Sequence, residues 1–185
     1  MIIMDLETTG LIRAGKPTLP GITQIGAIRY DANFNELATF EQDINPELIP
    51  AEWEEGAIKL RGVGPSDLME EPTFFAAFFG FAEFCRGAKI WAGHNINGFD
   101  TKVLANQLLR YGFEHHFPWP AHHIDTMRLV INEYGGRRKL GDVYMEITGK
   151  KLEGAHEALA DIRATAVVLK HLGAENVKRL LGENK

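Results

Sequence analysis

The run Met1 to Leu6, MIIMDL, constrains the fold more than any other stretch of this chain. It is apolar on both alternating sets of positions, broken only by Asp5, and a strand reads this way when both of its faces are covered. Thr9-Gly10 end it, and Arg13 to Gly21, with two prolines and two glycines, reads as a loop. Ile22 to Tyr30 and Glu36 to Ile44 read as two further strands, joined by a link over 31–35 short enough for a hairpin. Asn45-Pro46 and Ile49-Pro50 break that pattern, and a polar, glycine-rich stretch runs on to Gly64.

Pro72-Thr73 then opens a helix in which Phe74, Phe78, Phe81 and Cys85 recur at helical spacing. Phe75 and Phe79 widen its apolar stripe, and all these phenylalanines read as core rather than as a platform for stacked bases. Lys89 to Gly93 is a short strand. Phe99 to Tyr111 is a helix with Val103, Leu104, Leu108 and Leu109 on its apolar side. Ile124 to Val130 follows a loop rich in proline and histidine. Leu140 to Ile147 is a short helix, Glu157 to Leu172 a strong one rich in alanine and leucine, and Ala174 to Leu181 closes the chain. Strands first and helices after, around at least one strand–helix–strand crossover, imply a mixed α/β fold of one sheet with helices packed on it. No repeat or linker divides residues 1–185, so one domain is expected.

The balance of charge limits what such a domain can do. Its 185 residues carry a formal net charge of -5, whereas a protein that holds duplex nucleic acid by surface charge is usually basic. A nucleic-acid role would need positive charge from elsewhere, and bound metal ions are the obvious route. One cysteine, Cys85, cannot form an internal disulfide; set among phenylalanines it reads as a packed core residue, and it fits a reducing compartment, hence a cytoplasmic expectation. The N-terminus does not read as a signal peptide, and no apolar run reaches the roughly 18 residues that span a bilayer.

Three acidic segments carry the chemistry. Asp5 and Glu7 lie two apart on the first strand, so their side chains share a face. Carboxylates forced together there repel, and a hard divalent ion such as magnesium or manganese relieves this. An ordinary acidic strand end running into a turn is the competing reading. Asp100, in GHNINGFD, falls near a helix N-terminus, either as an N-cap or as a third carboxylate aimed at the end of the sheet. His94 alone is an unremarkable polar residue at a strand end. His156 and Asp161 lie in HEALAD, and Asp161 among Leu159, Ala160 and Ile162 is costly without a partner.

DLETTG, GHNINGFD and HEALAD, in this order and over this length, resemble the three signature segments of the DnaQ-like exonucleases, the histidine subtype of the DEDD superfamily. That family includes the proofreading subunit of bacterial replicative polymerase, ribonuclease T and the mammalian three-prime repair exonucleases. ITQIGAI is similar to the family's second strand and IDTMRL to its segment between the second and third signatures. The tyrosine subtype would place a tyrosine four residues before the last aspartate; Glu157 stands there, and His156 stands five before. One departure is Gln24, where the second strand usually carries glutamate.

The resemblance implies a ribonuclease-H-like fold, a mixed five-stranded sheet with helices on both faces. It implies a 3′–5′ exonuclease that releases nucleoside monophosphates, with two Mg2+ or Mn2+ ions roughly 3.5–4 Å apart. Asp5, Glu7 and Asp161 would hold the first ion; Asp5 would bridge to the second, where Asp100 acts directly or through water. His156 would be the general base, suited by an unperturbed pKa of about 6.5. Thr8, Asn95 and Phe99 would touch the terminal nucleotides, and Phe99 reads equally as a wedge against a base or as a core anchor of its helix. Arg137, Arg138 and Lys139 form the one dense basic run, read either as a hold on upstream phosphate or as a solvated face. His115, His116, His122 and His123 lack the spacing and the cysteines of a zinc site. Single-stranded DNA is the expected substrate and a DNA polymerase or replication protein a candidate partner. The rivals are an RNA or oligoribonucleotide exonuclease and a non-catalytic accessory module, and the latter would have lost at least one carboxylate or the histidine.

Overall fold

A computed structural model describes residues 1–15 and 19–182. The loop expected over 13–21 therefore falls partly, at 16–18, outside the described residues. Five strands, β1 (Ile2–Thr8), β2 (Ile22–Tyr30), β3 (Glu36–Asp43), β4 (Ile90–Gly93) and β5 (His122–Asp125), form one sheet in the order β3-β2-β1-β4-β5. The first three pair antiparallel, and β4 and β5 join in parallel, so the sheet is mixed. β1 is central, which is why it needs apolar residues on both sides.

Helices cover both faces, as the α/β, ribonuclease-H-like expectation requires. On one, Ile2, Met4 and Leu6 of β1 meet α2 (Phe74–Cys85) and α3 (Asp100–Tyr111) through Phe74, Phe81, Val103 and Leu104. On the other, Ile3, Ile28 and Ile90 meet Ile162, Ala166 and Leu169 of α6 (Ala158–Leu181), with α4 (Thr126–Tyr134) and α5 (Leu140–Thr148) packed against α6. Thr73 caps α2, its side chain accepting from the Ala76 amide. Cys85 is fully buried, and burial pushes its thiol up, consistent with a core role.

Several expectations need correction. Phe75 (53% exposed), Phe79 (67%) and Leu109 (64%) lie at the surface rather than in the core, because α2 and α3 each turn only one side to the sheet and these residues fall outside that stripe. The stretch read as polar and irregular contains a helix, α1 (Glu55–Arg61), closed by Gly62 at φ 73°. It buries no residue and carries Gly56 in its first turn, so it leaves no apolar period to detect. β5 and α4 meet at Asp125, whose side chain accepts from the Met127 amide and starts the helix where the sequence showed one continuous segment. The closing segments read apart are one helix of 24 residues. It runs through Gly173, where an added Cβ would sit 2.9 Å from Leu129.

Candidate active site

Asp5 and Glu7 project from β1 on the side that faces α6. What draws α6 close is Gly26, the partner of Asp5 on β2: a Cβ there would lie 2.6 Å from the Ala158 Cβ and 3.1 Å from Ile162. With no side chain in the way, the first turn of α6 rests on β2 and sets Asp161 beside the strand carboxylates. One oxygen from each of Asp5, Glu7 and Asp161 lies within 4.8 Å of the others. Asp100 arrives from the opposite layer. The β1–β4 ladder reaches only to Ile3–Ala92, and beyond it the Leu6 amide donates to Asp100 Oδ1 at 3.0 Å. Asp100 is 3% exposed, so this bond tethers a buried carboxylate to the strand that bears the others.

Each of the four is harder to ionise than a free carboxylate. Burial, then the charges of Asp100, Glu7 and Asp161, push Asp5 well above its usual range. Burial pushes Glu7 up to about 7, against the pull of the Arg61 guanidinium. Burial also lifts Asp100 to about 7, with the Leu6 amide opposing, and raises Asp161, with the His156 amide opposing. Crowded oxygen donors that resist carrying their own charge fit a hard divalent cation, which removes the repulsion by joining them.

His156 stands two residues before α6 at φ 72°, a left-handed conformation costly for a histidine. Its amide donates to Asp161 Oδ2 at 3.1 Å, and the residue is exposed. Thr8, Asn95, Phe99 and His156 line, with the four carboxylates, one cleft of ≈ 490 Å³. The Thr8 hydroxyl donates to the Gly10 carbonyl at 2.7 Å and so shapes the turn after β1. Phe99 is partly buried against the α2–α3 core and also lines the cleft. Asn95 is also left-handed, at φ 70°.

Gln24 lies opposite Glu7 on β2 and donates from Nε2 to Asp43 Oδ1 at 3.0 Å, where Arg61 also pairs with Asp43. A glutamate at 24 would repel Asp43; the amide bonds to it and adds no charge beside Glu7.

A profile of the exonuclease family matches residues 2–169, nearly the whole chain. The chain belongs to the exonuclease family. Among solved structures, the chain is similar to E. coli exonuclease I in complex with a dA16 oligonucleotide, with a TM-score of 0.76 and 20% identity over 97% of this chain and 42% of that one. It is also similar to exonuclease X in complex with 5′-overhanging duplex DNA, with a TM-score of 0.65 and 17% identity over 98% and 92% of the two chains. At these identities the likeness is one of fold. A relative from Arabidopsis thaliana, protein NEN1, is 27% identical over 118 residues, 62% of this chain and 24% of that protein. The chain thus spans less than half of exonuclease I and about a quarter of NEN1.

Other residues that shape the cleft escaped the sequence reading. Arg13 and Glu54 join across it at 2.7 Å, and Gly56, Ala57 and Leu60 of α1 form part of its wall. Asp125, 7% exposed, accepts from the amides of Asn95 (2.9 Å) and Asn97 (3.3 Å) and so holds the GHNINGFD loop. Its sequence signals were the IDTMRL segment that contains it and its place before Thr126 at a helix start. His94 is less ordinary than it looked. Its Nδ1 meets Thr126 Oγ1 at 3.0 Å and its Nε2 donates to the Arg138 carbonyl at 3.1 Å, while burial holds the ring below the usual histidine range.

Proposed function

We propose that this exonuclease hydrolyses phosphodiester bonds at the 3′ end of single-stranded DNA, releasing nucleoside monophosphates with the aid of two divalent ions, Mg2+ or Mn2+. The observation that carries the reading is the convergence of Asp5, Glu7 and Asp161 oxygens within 4.8 Å, with Asp100 tethered to the same strand. Asp5, Glu7 and Asp161 would hold one ion, and Asp5 with Asp100 the other. Divalent ions so placed supply water activation and charge neutralisation at the leaving oxygen. The protein contributes a preset donor frame, because both layers of helix press their carboxylates onto β1. His156, exposed at the mouth with its amide bonded to Asp161, would present its imidazole to accept the proton of the attacking water. Thr8, Asn95 and Phe99 would receive the terminal nucleotides, the Phe99 ring against a base. Similar solved structures hold a dA16 oligonucleotide and single-stranded DNA, which supports a single-strand substrate, while exonuclease X holds 5′-overhanging duplex DNA.

No helix of the described residues is long and apolar enough to cross a membrane, and the single buried cysteine fits the cytoplasm. Docking onto a polymerase or other replication protein is part of this reading. The test is digestion of DNA and RNA labelled at one end at a time, single- and double-stranded, with chelator, magnesium or manganese. Shortening from the 3′ end of single-stranded DNA, only with a divalent ion, is the expected result. Full activity in excess chelator, or loss of a 5′ label first, would overturn the mechanism or the polarity; preference for RNA would replace the substrate.

A further inference from the structure

We propose that Arg137, on the link between α4 and α5, is a phosphate-binding subsite at the rim of the cleft that grips a non-scissile phosphodiester of the strand. The inference rests on the nucleic-acid reading above and adds the element that reading lacks: a fixed cation on an acidic protein. Three basic residues follow one another here, and the structure gives them different fates. Arg138 is neutralised by Glu146 and lies over the Tyr134 ring, 4.3 Å from its centroid. Lys139 caps α5 by position. Arg137 donates from Nη2 to the Asn95 side-chain oxygen at 3.2 Å, and among the described residues no carboxylate pairs with it. Asn95 is itself a wall of the cleft that holds Asp5 and Asp161. An exposed guanidinium with an uncompensated charge, hydrogen-bonded to a neutral group on the rim, has donors left over for phosphate oxygens.

Its placement is built rather than incidental. His94, at the end of β4, holds the Arg138 carbonyl through Nε2 and Thr126 through Nδ1. The backbone next to Arg137 is therefore pinned to the sheet. Asp125 fixes the other side of the contact by accepting from the Asn95 amide, which helps hold that residue's left-handed turn. Both halves of the Arg137–Asn95 pair are thus referenced to the end of the sheet at which the site lies. A strand lying in the cleft meets a positive charge there that does not depend on metal loading.

The experiment measures fluorescence anisotropy of oligo-dT of about 15 nucleotides, with a phosphorothioate 3′ linkage to slow cleavage, in magnesium across a salt series. Arg137→Gln is expected to bind roughly threefold to tenfold more weakly. Its slope of log K against log salt should be shallower by about 0.7, the share of one single-strand phosphate contact. Arg138→Gln should keep the wild-type slope, because its charge is already paired. In steady-state cleavage the Arg137→Gln defect should appear in KM far more than in kcat, and should shrink on the dinucleotide TpT, which has only the scissile phosphate. Arg137→Lys should recover part of the slope. An unchanged slope in Arg137→Gln, or an equal loss on TpT, would overturn the subsite while leaving the exonuclease reading intact. Failure of the wild-type protein to bind any strand would overturn both.

Discussion

The floor of the cleft and its mouth are built on opposite principles. Asp5, Glu7 and Asp100 sit where two packed layers meet the central strand, each held by a strand or by a bond to one. His156 lies in an exposed lead-in to α6, in a strained left-handed conformation, with one backbone bond to Asp161. The contrast fits the two proposed tasks. Metal ligands must be set before the ion arrives, because donors that are already crowded lose little further freedom on binding it. A proton acceptor must reach solvent and exchange its proton, and burial would suppress the charged imidazole it needs to become.

The sharpest way to break this comparison is to remove one floor carboxylate. Asp5→Asn or Asp161→Asn should lower turnover on the order of 10³-fold or more, since on the proposed reading each would help to hold the ions that would supply most of the stabilisation. The metal-free variant should melt no lower than the parent, because like-charge repulsion is relieved. A variant that cleaves at near-normal rate in a single-turnover assay would mean the site is elsewhere.

His156→Ala should cost roughly 10²–10⁴-fold in rate, the range of a lost general base. Metal binding by calorimetry should be unchanged, and residual activity should rise with pH as hydroxide replaces the base. If the variant instead loses metal as badly as Asp5→Asn, mouth and floor are not separate and His156 is a ligand.

Gly26→Ala tests whether packing sets the floor. The new methyl would press on Ala158 and Ile162; about 1–3 kcal/mol of stability should be lost by overpacking. Metal affinity should fall with it as Asp161 moves away from Asp5. Denaturant unfolding beside calorimetry checks both, and loss of stability with metal affinity intact would show that the α6 contact does not position Asp161.

A further effect is expected from pH alone on the metal-free protein. The folded Glu7 and Asp100 titrate near 7, whereas unfolded carboxylates titrate near about 4. The folded state therefore binds more protons between those values, and stability present below about pH 4 is lost as pH rises through 7. That term alone should lower the melting temperature from pH 5 to pH 8, and Asp5→Asn or added magnesium should flatten the slope.

Much of this was legible in the sequence. The period of two over β1 put Asp5 and Glu7 on one face, and the helical period of 3.6 placed Phe74, Phe81 and Leu104 in the core, because both follow from backbone geometry that local residues dictate. The ordered segments DLETTG, GHNINGFD and HEALAD pointed to the family before any fold was seen. The exposure of Phe75, Phe79 and Leu109 was not legible, since an apolar residue beside a buried stripe is told from one within it only by what packs opposite. Nor was α1, which buries no residue and is tied to the sheet through Arg61, paired with Asp43. The roles of Asp125 and His94 arise from bonds to Asn95 and Arg138, about 30 and 44 residues away in the chain. The sequence by itself determined which carboxylates exist and which strand and helices bear them. Only the tertiary structure decided that they meet: Asp5 and Asp161 are 156 positions apart, and their approach depends on the absent side chain of Gly26 where α6 crosses β2.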